Sequence, residues 1–149
     1  MTAATSNTQT ALTESLNQLL ADCFALYLKT KNFHWHVRGP QFRDLHLLFD
    51  EQAAEIFALT DLVAERVRKN GAATLTSVSA IAGKTRIKPQ DDAGISAEAM
   101  IAHYRLAIEK LKPMISPRRV NAAAMINPKW SRTASSISPR HRASAVPSR

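Results

Sequence analysis

Two histidines and three carboxylates, His34, His46, Asp50, Asp61 and Glu65, are the residues of this chain best suited to hold a redox-active metal ion. Imidazole nitrogen combined with carboxylate oxygen suits iron and its first-row neighbours, and such sites can leave positions open for an oxidant. A single histidine on a helix is ordinarily a surface or packing residue, and a lone acid at i, i+4 is ordinarily solvated. The reading therefore rests on the five together.

Those residues need two elements to position them. From Gln41 to about Asn70, apolar residues recur at Leu45, Leu48, Phe49, Ile56, Leu59, Val63 and Val67, the spacing of a helix with one face in a core. With roughly 100° of turn per residue and His46 as zero, that core face lies near 200 to 300°, while Asp50, Asp61 and Glu65 lie near 40, 60 and 100°. Ala53, Ala54, Phe57 and Ala64 accompany this second stripe, which is unlike a freely solvated face and predicts a packing partner. His46 and Asp61 are 15 residues apart, hence about 22 Å along a helix, too far for one ion to touch both. Two copies of the helix lying antiparallel across a twofold axis would bring His46 of one opposite Asp61 and Glu65 of the other. The Gly39-Pro40 break reverses the chain and lets His34 fold back beside His46. Periodicity alone leaves the metal site and the solvated face both standing.

His34-Trp35, Gly39-Pro40, Phe42, Leu45-His46, Phe49-Asp50-Glu51, Glu55, Asp61 and Ala64-Glu65-Arg66 together resemble the Dps family, the miniature ferritins also called DNA-binding proteins from starved cells. The resemblance runs from about Leu12 to Leu111 and includes TLTSVSAIAG, similar to the family's short cross-bundle helix. It implies an all-α, ferritin-like four-helix bundle assembled as a hollow dodecamer. It also implies a ferroxidase that oxidises Fe(II) with hydrogen peroxide or dioxygen, stores the ferric product and protects DNA from oxidative damage. By the same resemblance His34 and His46 would bind iron from one subunit, with Asp50 assisting, and Asp61 and Glu65 from its twofold mate. Lys31 and Trp35 match positions beside the site, Trp35 as a local electron source or sink. His36 stands where the family usually has Asn, and no role is assigned to it.

The remaining chain sets the surroundings. Residues 1–9 read as a short polar tail with no Lys or Arg, since the first basic residue is Lys29; a lysine-rich N-terminal DNA-binding arm is thus absent. From about Thr10 to His36, Leu12, Leu16, Leu19, Cys23 and Leu26 form a helical stripe widened by Leu20, Phe24 and Tyr27. Gly71 stops the long helix, Leu75 to Ala82 is a short apolar piece, and Ser96 caps a third bundle helix carrying Met100, Ile101, Tyr104, Ile108 and Leu111. His103 beside that stripe reads as a packing residue. One cysteine rules out a disulfide framework and favours a cytoplasmic setting. No run reaches the roughly 18 to 20 apolar residues of a membrane span, and nothing resembles a nucleotide loop, a serine triad or a zinc cysteine cluster.

The last 37 residues are of another kind. Residues 113–149 hold five prolines and seven basic residues with no acid, whereas residues 1–112 hold 13 basic and 12 acidic residues. Of the formal +8, therefore, +7 lies in this tail. Such proline spacing is incompatible with a long helix, so the fourth bundle helix is expected to be missing or altered and the tail disordered. An acid-free segment rich in Arg, Ser, Pro and Ala is also what a frameshift in a GC-rich gene produces. Two alternatives to iron storage follow: a non-specific DNA-coating protein acting through the tail by counterion release, associated with the nucleoid, or a truncated copy that does not assemble.

Overall fold

The computed structural model describes residues 3–114, all helix and connection with no strand among them. Four helices follow in order: α1 (Ala3–His36), α2 (Phe42–Lys69), α3 (Val78–Lys84) and α4 (Ala97–Leu111). The expected third bundle helix is thus α4, and the short cross-bundle piece is α3. The tail from 115 onward, with the missing or altered fourth helix expected there, lies outside the described residues.

The α1–α2 hairpin is the frame. Leu16, Leu19, Leu20, Cys23 and Leu26 of α1 are buried against Ile56, Val63 and Val67 of α2 and Ala107, Ile108 and Leu111 of α4. A second cluster of Phe33, Val37, Leu45, Phe49 and Met100 fills the end near the hairpin break. There the Phe33 and Phe49 rings meet at 5.7 Å and 56°, a tilted contact worth about 0.5–1.5 kcal/mol beyond its buried area. Gly39, at φ 109°, makes the break, a left-handed conformation that a side chain would disfavour. Gly71, at φ 80°, follows the C-cap Asn70 of α2 and ends it as expected.

Two boundaries differ from the sequence expectation. α1 begins at Ala3, inside the stretch read as a polar tail at 1–9. That stretch contains neither Gly nor Pro to stop a helix growing backward from the packed part, and Gln9 Nε2 donates to Asn70 O at 2.9 Å, tying its first turns to the end of α2. α3 spans Val78–Lys84 rather than Leu75–Ala82, because Ser77 caps it by accepting from Ala80 N.

A polar flank of α1 receives the long crossover between α2 and α4. Asn17 Nδ2 donates to Ala73 O at 2.9 Å, Lys29 Nζ to Lys88 O at 2.9 Å and Asn32 Nδ2 to Gln90 O at 3.1 Å. Between them Asp22, wholly buried, accepts from Thr85 Oγ1, Arg86 N and the Arg86 guanidinium. Partners ascend together in number, so the crossover runs parallel to α1 and delivers α4 to the end where Phe33 and Val37 wait. Ser96 then caps α4, its Oγ accepting from Ala99 N at 3.2 Å, and α4 runs back antiparallel to α1 with its Met100 end in the second cluster and Leu111 in the first.

Candidate metal centre

The hairpin break places the last turn of α1 beside the first turns of α2, and His34 and His46 meet there. Their rings stack at 3.8 Å between centroids, 25° apart. His34 Nδ1 donates to His46 O at 2.8 Å, and His46 Nδ1 donates to His34 O, also at 2.8 Å. Because a carbonyl can only accept, each ring carries its proton on Nδ1 when neutral and presents Nε2 with a free lone pair. A backbone carbonyl on the second ring nitrogen is the usual arrangement that orients a metal-binding imidazole and raises its basicity.

Asp50 is the carboxylate on hand. Its Oδ1 lies 3.9 Å from His34 Nε2 and accepts from Lys31 Nζ at 2.7 Å. The Lys31 hydrogen bond, opposed by desolvation and aided by the nearby charge of Lys31 and the two imidazoles, holds the exposed Asp50 carboxyl below the usual carboxylate range. It is therefore ionised wherever a metal would bind. Phe42 covers the other ring, its centroid 5.1 Å from that of His46. Trp35 stays exposed at 58%, with Lys31 Nζ 5.8 Å from its ring centroid. Beneath all of this lies the Phe33–Phe49 cluster, which fixes both helix ends and hence both imidazoles.

Asp61 and Glu65 stand elsewhere. They lie 15 and 19 residues beyond His46 on the same uninterrupted helix, hence about 22 and 28 Å away. Glu65 is held below the usual carboxylate range by Lys69, whose Nζ donates to it at 2.7 Å one turn on. Among the described residues no group of three His, Cys, Asp or Glu converges within a single chain. The structure thus pairs His34 with His46, sets Asp50 beside His34 alone short of a converged three-residue group, and leaves Asp61 and Glu65 at the far end of α2.

The stripe joining the two ends is partly apolar. Ala54 and Phe57 are exposed, as are Leu47 and Leu62 of the same helix and Leu28 of α1. Ala53 and Ala64, expected on the same free face, instead pack within the chain: Ala53 is fully buried and Ala64 lies against the main core. Both sit at the border of the stripe, where α2 turns in toward its neighbours. Phe57 makes a tilted contact with Tyr27 at 5.0 Å.

Sequence reasoning gave Lys31 a place beside the site but no bond, and Lys69 no place. A Glu-to-Lys pair at i, i+4, as at Glu65 and Lys69, was a usable signal. The Lys31 contact was not one, since it joins residues 19 apart across the break. His103 is half-buried, its ring 6.4 Å from Phe33 and its Nε2 3.2 Å from Gln90 Nε2, as a packing residue would be. Cys23 is buried with its thiol pushed up to about 12, first by burial and then by Asp22, and is inert as a nucleophile. No helix among the described residues is long and apolar enough to cross a membrane.

Comparison with known proteins agrees with this layout. The ferritin-like domain family matches residues 13–116. DNA protection during starvation protein 2 of Bacillus anthracis is 34% identical over 66% of this chain and 70% of its own length. The crystal structure of a Dps protein from Bacillus brevis is 27% identical with a TM-score of 0.71, covering 91% of this chain and 84% of that one. A Vibrio cholerae Dps protein, itself one of a broad superfamily of ferritin-like diiron-carboxylate proteins, shares the fold at 24% identity and a TM-score of 0.69, over 85% of this chain and 77% of its own. The chain spans about half the length of the first curated relatives it matches. With a ferritin-like match across most of its length and a starvation-protection protein 34% identical over 70% of that protein, the chain belongs to the Dps family of ferritin-like proteins.

Proposed function

We propose that this protein takes up Fe(II), oxidises it with hydrogen peroxide or dioxygen and stores the ferric product, protecting DNA from the radicals that free iron and peroxide would make. The site is shared: His34 and His46, with Asp50, come from one subunit, and Asp61 and Glu65 from its twofold mate. The observation that carries this reading is the reciprocal pair of Nδ1-to-carbonyl bonds, which leaves two Nε2 lone pairs, that of His34 lying 3.9 Å from the Asp50 carboxylate. An exposed apolar stripe between that half-site and the distant Asp61 and Glu65 supports an antiparallel partner. Twelve subunits closing into a hollow shell would supply the cavity for the mineral.

Fe(II) is the substrate. Two Fe(II) ions each give one electron to one peroxide, whose O–O bond breaks as two protons are taken up and two waters leave. Pairing the electrons in this way avoids releasing hydroxyl radical. The imidazoles bind as neutral donors, Asp50 supplies negative charge as iron reaches the ferric state, and exposed Trp35 can give or take an electron locally. His46→Ala in the assembled protein is expected to abolish rapid peroxide-driven Fe(II) oxidation, followed by ferric absorbance. An unchanged rate would overturn the site. Size-exclusion chromatography tests the shell, which requires about twelve times the 16.4 kDa chain mass.

The tail favours a second reading, DNA coating, because +7 of the formal charge lies there in a chain otherwise nearly neutral. Binding through it would be salt-dependent and indifferent to sequence. Equal DNA retardation with and without residues 113–149 would remove it.

A further inference from the structure

Two ammonium groups bond to one short piece of the crossover, away from the candidate metal centre. Lys29 of α1 is buried, 8% exposed, and its Nζ donates to Lys88 O at 2.9 Å. Lys110 of α4 sends its Nζ to Arg86 O at 3.1 Å. Those carbonyls belong to residues two apart, so they are separated by no more than about 7 Å even on an extended chain. The cations are near enough to act on one another: burial first, and then the charge of Lys110, hold Lys29 below the ordinary lysine value.

Neither ammonium has a carboxylate. None of the ion pairs among the described residues includes Lys29 or Lys110. Asp22, the buried acid earlier on the same flank of α1, is saturated by Thr85 and Arg86. Glu109, next to Lys110, is taken by Lys112. Lys88, exposed on the same segment, adds a further positive charge. Each ammonium has three protons and gives one to a carbonyl, which leaves two on each for another acceptor. Buried charges are ordinarily paired, and Lys29 has no carboxylate partner among the described residues.

We propose that Lys29 and Lys110, anchored on neighbouring carbonyls of the crossover, form a binding site for one tetrahedral oxyanion of the phosphate or sulfate class. A doubly charged tetrahedral anion neutralises both ammoniums, and its oxygens diverge enough to accept from donors arriving on two different helices. Bound there it joins α1, α4 and the crossover at one point, so its occupancy stabilises the fold by mass action. This site is independent of the iron chemistry and stands or falls separately from it.

Titration of the full-length protein with inorganic phosphate, at ionic strength held constant with chloride, tests the site by calorimetry and by 31P line width. One saturable phosphate per chain is expected, together with a melting temperature that rises with phosphate. Lys110→Gln, an exposed and structurally mild change, should weaken binding about tenfold, as the loss of one charge-assisted hydrogen bond implies. Arg68→Gln removes the same charge near the end of α2, where the side chain bonds to the Ala72 carbonyl and to no carboxylate among the described residues, and should leave the affinity unchanged. The absence of saturable binding, or an equal effect of the two variants, would overturn the assignment.

Discussion

Asp22 and Asp50 are both aspartates in contact with lysine-rich or arginine-bearing neighbours, yet they sit in opposite surroundings. Asp22 lies in the seam between α1 and the crossover, wholly buried, with every partner supplied by Thr85 and Arg86. Asp50 lies on the open stripe of α2, exposed, with one lysine bond and an imidazole lone pair facing it. A saturated carboxylate has nothing left to offer a ligand and works as a fastening. A carboxylate held by one mobile ammonium keeps its charge and can exchange that partner for a metal ion. The same contrast extends along both regions: the seam is made largely of side-chain-to-backbone bonds, and the stripe of exposed acids and apolar side chains.

The largest test of this contrast removes a carboxylate from each region. Asp22→Ala strands the Arg86 guanidinium and backbone N–H in a partly buried place, which should cost about 3–5 kcal/mol of unfolding free energy. Asp61→Ala, on the exposed stripe, should change stability by no more than about 0.5 kcal/mol while removing a proposed iron ligand. Urea denaturation measures both. Similar losses in the two variants would erase the distinction between fastening and open site.

Phe57→Lys addresses the stripe as an interface. The ring is 52% exposed in the single chain and touches Tyr27 at one edge, so the subunit itself should lose only about 1 kcal/mol with that ring pair. Assembly should suffer far more, since the proposed twofold contact would have to bury a charged side chain in place of an apolar ring. Analytical ultracentrifugation should show a smaller particle made of folded chains. An intact shell in this variant would move the interface elsewhere.

Much of this was legible in the sequence, for reasons that differ by region. The α2 boundaries, the Ser96 cap and the buried face through Leu45, Phe49, Ile56, Val63 and Val67 follow from local spacing and cap chemistry. The meeting of His34 and His46 followed from one Gly-Pro break. The seam was not legible, because Asp22 to Arg86 and Lys29 to Lys88 join residues about sixty apart, and no local pattern marks which polar residue of a helix will be covered by a distant loop. Ala53 and Ala64 were misplaced for a related reason: at the edge of a stripe, small residues look the same whether they face a neighbour in the chain or a second copy.

The finest test concerns Lys31. Its hydrogen bond is the first cause of the low Asp50 value, ahead of the coulombic effects of Lys31, His34 and His46. A carboxylate whose folded value is depressed adds stability above its unfolded value and loses that contribution as pH falls through the folded one. Lys31→Met should therefore raise the Asp50 titration toward the ordinary carboxylate range, seen in the 13C chemical shift of its carboxyl carbon. Any stability difference from the native chain should be present at neutral pH and vanish in acid, and it should be small because Asp50 is exposed and its pair is screened. Asp50 should also bind metal no less well in the variant, since the ammonium that shares its oxygen is gone. If Asp50 instead titrates identically in both proteins, Lys31 does not hold the carboxylate, and the open site would owe its charge to the imidazoles alone.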